Sequence, residues 1–164
     1  MRKPLQFLPV CLTLLAVSIL PGSAHEKPGT TVPKIASAQD VSQVLEQYKA
    51  GMEALSVEQL DLIMDPALLV LEHGGKDVGW TEYRNHHIGE HMKGWKSLRV
   101  SDVKLLESSA SEDWAYAAQE SINTIATAKE GKTIVLAVTE TFVLKKHSDG
   151  WKIKHLHISL KKKS

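Results

Sequence analysis

Four long stretches follow one another in the second half of the chain with almost no helical signal between them. They are SLRVSDVKLLESS, DWAYAAQESINTIATA, KTIVLAVTETFVLKKH and GWKIKHLHISL. The breaks are Ser-Glu-Asp, Lys-Glu-Gly-Lys and Ser-Asp-Gly, side chains that favour tight turns over continued strand. Four consecutive strands closed by short turns predict antiparallel pairing. The first half reads differently. Asp40 is placed as an N-cap, and Val41, Val44, Leu45, Tyr48, Met52 and Leu55 follow at helical spacing. Ser56 caps a second helix, SVEQLDLIM, which Pro66 is expected to end. ALLVLEHGG is a short strand stopped by Gly74 and Gly75. Thr81 then caps a third helix that runs to about Lys93. Helices first and antiparallel strands last predict an α+β fold, with three N-terminal helices covering one face of a curved, mostly antiparallel sheet.

Residues 1–24 are read apart from that fold. MRK is followed by the apolar run LQFLPVCLTLLAVSIL, then by PGSA with small residues at Gly22 and Ala24. This is the pattern of a cleaved secretory signal, and it places the protein in the periplasm or outside the cell, with no stable membrane association after cleavage. Residues 25–39, HEKPGTTVPKIASAQ, read as a flexible linker, and the folded domain is expected over 40–164. Cys11 is the only cysteine, so cleavage leaves a disulfide-free chain whose core must hold it together. Losing Arg2 and Lys3 moves the formal net charge from +1 to −1, which removes any strong basic field and argues against nucleic acid as a partner.

The histidines carry the functional question. GWTEYRNHHIGEHMKGW contains three of them. On a helical wheel Trp80, Tyr83, His87 and His91 share one stripe, flanked by Arg84, Ile88 and Trp95, while His86 and Glu90 fall to the side. His87 and His91 are then one turn apart and reach a common point. In the last strand Trp151, Ile153, His155, His157 and Ser159 alternate onto one face. That face changes from apolar to polar midway. The strand either leaves the core for a cavity or shifts face across a bulge. Glu140 lies between Val138 and Phe142 on an apolar face, where a lone carboxylate is costly. A partner such as His157 or a metal relieves that cost, or the residue sits at a rim and meets water.

VLEQYKAGMEAL, VLEHGG, EYRNHHIGEHM, TETFVLKK and the closing DGWKIKHLHIS, in that order, resemble the nuclear-transport-factor-2-like superfamily, and within it the SnoaL-like, ketosteroid-isomerase-like exported proteins. The resemblance covers roughly residues 40–160. It implies a cone-shaped, strongly bent sheet wrapped on the helices, with a pocket at its wide end and a homodimer formed through the outer sheet face. It leaves the reaction open, since members include isomerases, dehydratases, cyclases and hydrolases. His155, His157 and Ser159 are also similar to the histidine-rich, serine-closed last strand of iota-type carbonic anhydrases, which implies a polar His/Ser pocket.

Three functions follow as expectations. The first is a small-molecule pocket enzyme, an isomerase, lyase or hydratase. In it His87, His91, His155 or His157 acts as acid or base, Tyr83 or Ser159 orients a bound oxygen, Glu140 fixes a tautomer, and Trp80, Trp95 and Trp114 wall the pocket. The second is a zinc or copper site made of His87, His91, His155 and His157, with Glu140 or Glu72. The third is a ligand-binding protein without turnover.

Overall fold

The structure is a computed structural model, and the residues it describes are 38–163. The expected signal sequence, and all but the last two residues of the expected linker, lie outside them. Helix α1 (Ala38–Glu53) starts two residues ahead of Asp40. It turns Val41, Val44, Leu45, Tyr48 and Met52 into the core, as their spacing requires. Its end is a Schellman motif. Ser56 N–H donates to Gly51 C=O at 3.0 Å and Leu55 N–H to Met52 C=O at 3.1 Å, with Leu55 itself at φ 51° in the position glycine usually takes.

Helix α2 (Val57–Asp61) is capped by Ser56, whose hydroxyl accepts from Gln59 N–H at 3.3 Å. It is shorter than its sequence suggests. Strand β1 (Met64–Glu72) begins before Pro66, so the proline lies inside a strand. It falls where the β1 register shifts between Met64 and Leu69, an irregular stretch that tolerates a missing N–H. Gly74 and Gly75 do not simply stop that strand. The chain turns through His73 (φ 49°) and Gly74 (φ 78°) into a short strand, β2 (Gly75–Val78), which the sequence reading did not foresee.

The third helical segment starts at Trp80 behind Gly79 rather than at a Thr81 cap. It is α3 (Trp80–Glu82), then a π-helical turn, Tyr83–Ile88, then α4 (Gly89–Gly94). The π turn is closed by Gly89 N–H donating to Arg84 C=O, five residues back. A Cβ on Gly89 would run into that carbonyl oxygen, so the turn needs glycine there.

Strands β3 (Trp95–Ala110), β4 (Trp114–Thr127), β5 (Thr133–His147) and β6 (Gly150–Lys162) follow as an antiparallel run, as expected. β6 also pairs with β1 in parallel, giving one curved six-stranded sheet in the order β2-β1-β6-β5-β4-β3. The core lies between the helices and its inner face. Val138, Phe142 and Leu144 of β5 and Ala115, Ala117 and Ile125 of β4 point there, and Tyr48 meets Phe142 edge-on at 5.2 Å. That ring contact contributes about 0.5–1.5 kcal/mol beyond the burial itself.

The two readings of β6 are resolved by its register. Leu144 pairs with Ile153, but Val143 pairs with His155, so Lys154 is the extra residue of a bulge. Trp151 and Ile153 are buried before it; Leu156 and Ile158 are buried after it. The strand changes face at Lys154, and His155, His157 and Ser159 stand on the outer side of the sheet.

Candidate functional site

A cavity of about 490 Å³ opens between the helical segments and the inner sheet face. Its walls are largely apolar. Met52, Ile88, Ile125, Leu136, Val138 and Leu160 supply much of them. Into it the third helical segment presents a ladder of rings. Tyr83 and His87 have centroids 5.1 Å apart, His87 and His91 5.1 Å, and His91 stacks on Trp95 at 5.8 Å with a 16° tilt. The stripe read from the sequence is therefore present, and Tyr83, His87, His91 and Trp95 all line the cavity. His86 points away and is exposed.

His87 is held from both sides. Its Nδ1 lies 2.8 Å from Asp77 Oδ2, and its Nε2 lies 3.5 Å from Glu72 Oε2. A carboxylate only accepts, so the Asp77 contact puts the ring proton on Nδ1 and leaves the Nε2 lone pair to the cavity. The Glu72 separation is too long for a normal N–H···O bond. It suits a counter-charge for the imidazolium that forms when Nε2 takes a proton.

Glu140 is 6% exposed and belongs to the lining. Tyr48 O–H donates to its Oε1 at 2.9 Å and Gln119 Nε2–H to its Oε2 at 2.9 Å. Neither His157 nor a rim position answers its burial; a tyrosine and an amide do. Burial pushes its carboxyl above the usual glutamate value, the two hydrogen bonds pull the other way, and the charge of Glu72 adds to the rise. Burial also raises the Tyr83 and Tyr48 hydroxyls well above the ordinary phenol value. Glu72, Glu140 and Asp77 add to the rise at Tyr83, and Glu140 leads the other contributions at Tyr48.

Other expected site residues are placed elsewhere. His155 Nδ1–H donates to Leu69 C=O at 3.0 Å, and His157 and Ser159 are exposed on the outer sheet face, so none joins His87 and His91. The expected metal set is thereby split across the sheet. Among the described residues, no group of three or more His, Cys, Asp and Glu side chains is arranged to hold a metal ion. Trp80 is buried, with its indole N–H donating to Asp61 Oδ1 at 2.7 Å, and does not wall the cavity. Trp114 is 46% exposed beneath Lys145.

Three residues the sequence reading missed complete the site. Asp77 lies on β2, a strand that had not been recognised. Tyr48 falls in the helical stripe of α1, and a buried tyrosine needs a partner for its hydroxyl. Gln119 alternates onto the same face as Ala115 and Ala117 and pairs in register with Glu140. That alternation was the available signal.

A curved sheet closed over helices, with a polar-floored cavity between them, defines the nuclear-transport-factor-2-like class. A superfamily protein of that class from Salmonella enterica superposes with a TM-score of 0.68 at 19% identity, over 74% of this chain and 88% of that one. Residues 41–161 match the SnoaL-like domain family, and the chain belongs to it. A candidate ketosteroid isomerase from Shewanella frigidimarina is 29% identical, with a TM-score of 0.59 over 71% of this chain and 92% of its own. A candidate dehydratase from Streptomyces avermitilis shares the fold at 18% identity and a TM-score of 0.63, over 74% and 93%. No curated protein matches the sequence.

Proposed function

We propose that the cavity is an acid/base site for small, largely apolar molecules, in which His87 takes a proton from carbon. The observation that carries this reading is the 2.8 Å contact between His87 Nδ1 and Asp77, which leaves Nε2 as a fixed base in the wall of the cavity. In the step, the substrate C–H bond breaks and an Nε2–H bond forms. The electron pair enters a new double bond, expelling a leaving group from the neighbouring carbon or moving onto a carbonyl oxygen. Glu72 balances the resulting imidazolium, and His91, one turn on, is placed to return a proton. The apolar walls keep water from competing for the base. The names of the Shewanella and Streptomyces proteins, an isomerase and a dehydratase, describe reactions of this kind. We take the chain to act after export, on the strength of its N-terminal pattern, and as a homodimer, on the strength of the family resemblance.

The test uses 5-nitrobenzisoxazole, whose ring opens to a coloured phenolate when a base removes its single ring C–H. The protein should accelerate this opening over buffer, and His87→Gln should lose about 10²-fold or more of that rate. His86→Gln should keep it. Equal rates for wild type and His87→Gln would sink the reading.

A further inference from the structure

The floor of the cavity carries an anion without a counter-ion. Glu140 is 6% exposed, and both its contacts, Tyr48 and Gln119, are neutral donors. Glu72 joins the same lining and is near enough to raise the Glu140 carboxyl. No lysine or arginine among the described residues pairs with either glutamate. Lys162, which also lines the cavity, is exposed. The Tyr83 hydroxyl belongs to a residue only 2% exposed and has no hydrogen-bond partner among the described residues. Glu72 on β1 and Glu140 on β5 pair in register with Ile158 of β6 from either side, and Tyr83 lines the same cavity.

A buried carboxylate, a second carboxylate and an idle hydroxyl that line one cavity form a receptor for a cation with several N–H donors. We propose that the ligand of this cavity carries a protonated primary or secondary amine on an apolar body, with the ammonium seated among Glu140, Glu72 and the Tyr83 oxygen. The apolar body lies against Ile125, Leu136, Val138 and Leu160, beside the rings of Trp95 and Tyr83 that line the same cavity. An ammonium there removes the burial cost that Glu140 otherwise bears, and its N–H groups satisfy the idle tyrosine. This inference rests on the reading of the cavity as a small-molecule site and adds the class of molecule.

The experiment compares three probes of one shape on the purified protein by titration calorimetry: 3-phenylpropylamine, 3-phenylpropanol and 3-phenylpropanoate. The amine should bind about tenfold or more tightly than the alcohol, the scale expected when a buried charge gains a partner, and the carboxylate should bind most weakly. Glu140→Gln should bring amine and alcohol together. His86→Gln should keep the ranking, because His86 is exposed and lies outside the cavity lining. Alcohol or carboxylate binding as well as the amine overturns the proposal. So does an amine that fails to bind at millimolar concentration, or a ranking that survives in Glu140→Gln. If Glu140→Gln does not fold, Glu72→Gln replaces it: a narrowed gap between amine and alcohol supports the proposal and an unchanged gap overturns it. Since these titrations involve no turnover, failure of the acid/base reading shows separately, as benzisoxazole opening that ignores His87.

Discussion

Asp77 Oδ2 stands 2.8 Å from His87 Nδ1, across a gap between a four-residue strand and a π-helical turn. Each side chain is ordinary alone; together they fix which ring nitrogen faces the cavity. Asp77→Asn keeps the shape, but its amide can donate to Nδ1 and so favour the opposite tautomer. Opening of 5-nitrobenzisoxazole should fall at least about tenfold in Asp77→Asn, as in other sites where a histidine is held in the wrong tautomer. Substrate-free stability should change little, which equilibrium unfolding in urea checks.

The π turn depends on Gly89. In Gly89→Ala the new methyl meets the Arg84 carbonyl oxygen, so the turn must reopen. Overpacking of this kind costs about 1–3 kcal/mol. The expected outcome is a lower urea midpoint together with loss of His87-dependent catalysis. Gly94→Ala, where nothing lies within 4 Å, is the control and should leave both unchanged.

The bulge at Lys154 sets which side chains of β6 reach the core. Leu156 is fully buried and His157 is exposed. Leu156→Ala should therefore cost about 2–5 kcal/mol. His157→Ala should stay within about 0.5 kcal/mol, as surface changes do, and should leave catalysis intact. Urea unfolding of the pair checks the face assignment directly, because a strand without the bulge would reverse the order.

Two buried carboxyls give the stability opposite dependences on pH. At Asp65, burial raises the carboxyl, but the Ala67 N–H, His147 and Lys154 together outweigh it and hold it below the usual aspartate value. Its contribution is complete above the unfolded value and is lost as pH falls through the lower, folded one. At Glu140 the folded carboxyl is raised. The folded state then binds the proton more tightly, and stability declines as pH climbs from the usual glutamate value through the raised one. Urea midpoints from about pH 3 to 8 should show a gentler acid limb in Asp65→Asn and no Glu140-linked decline in Glu140→Gln.

The fold was legible where one period ran unbroken. The stripe Val41, Val44, Leu45, Tyr48, Met52 could only be a helix with one buried face, and the four tandem strands with their turns could only be a meander. The ring ladder from Tyr83 to Trp95 was legible too, since the i, i+4 spacing of His87 and His91 survives one π turn. Legibility failed where local sequence is silent about partners. The polar–apolar exchange in KIKHLHISL announced a change of face, but its cause lies in the pairing of β5 with β6. Asp77 sits on a strand of four residues, too short to alternate visibly, and its meaning comes from a histidine ten positions on. Glu140 looked unpaired because its donors, Tyr48 and Gln119, come from a helix 92 residues and a strand 21 residues away.

The central claim is that Asp77 holds His87 with its proton on Nδ1 and its lone pair toward the cavity. Long-range ¹H–¹⁵N correlation spectroscopy of histidine-labelled protein, recorded where the ring is neutral, reads that tautomer directly. The expected result is a protonated Nδ1 and an unprotonated Nε2 for His87, with the pattern lost in Asp77→Asn. A His87 ring protonated on Nε2, unchanged by Asp77→Asn, would contradict the account.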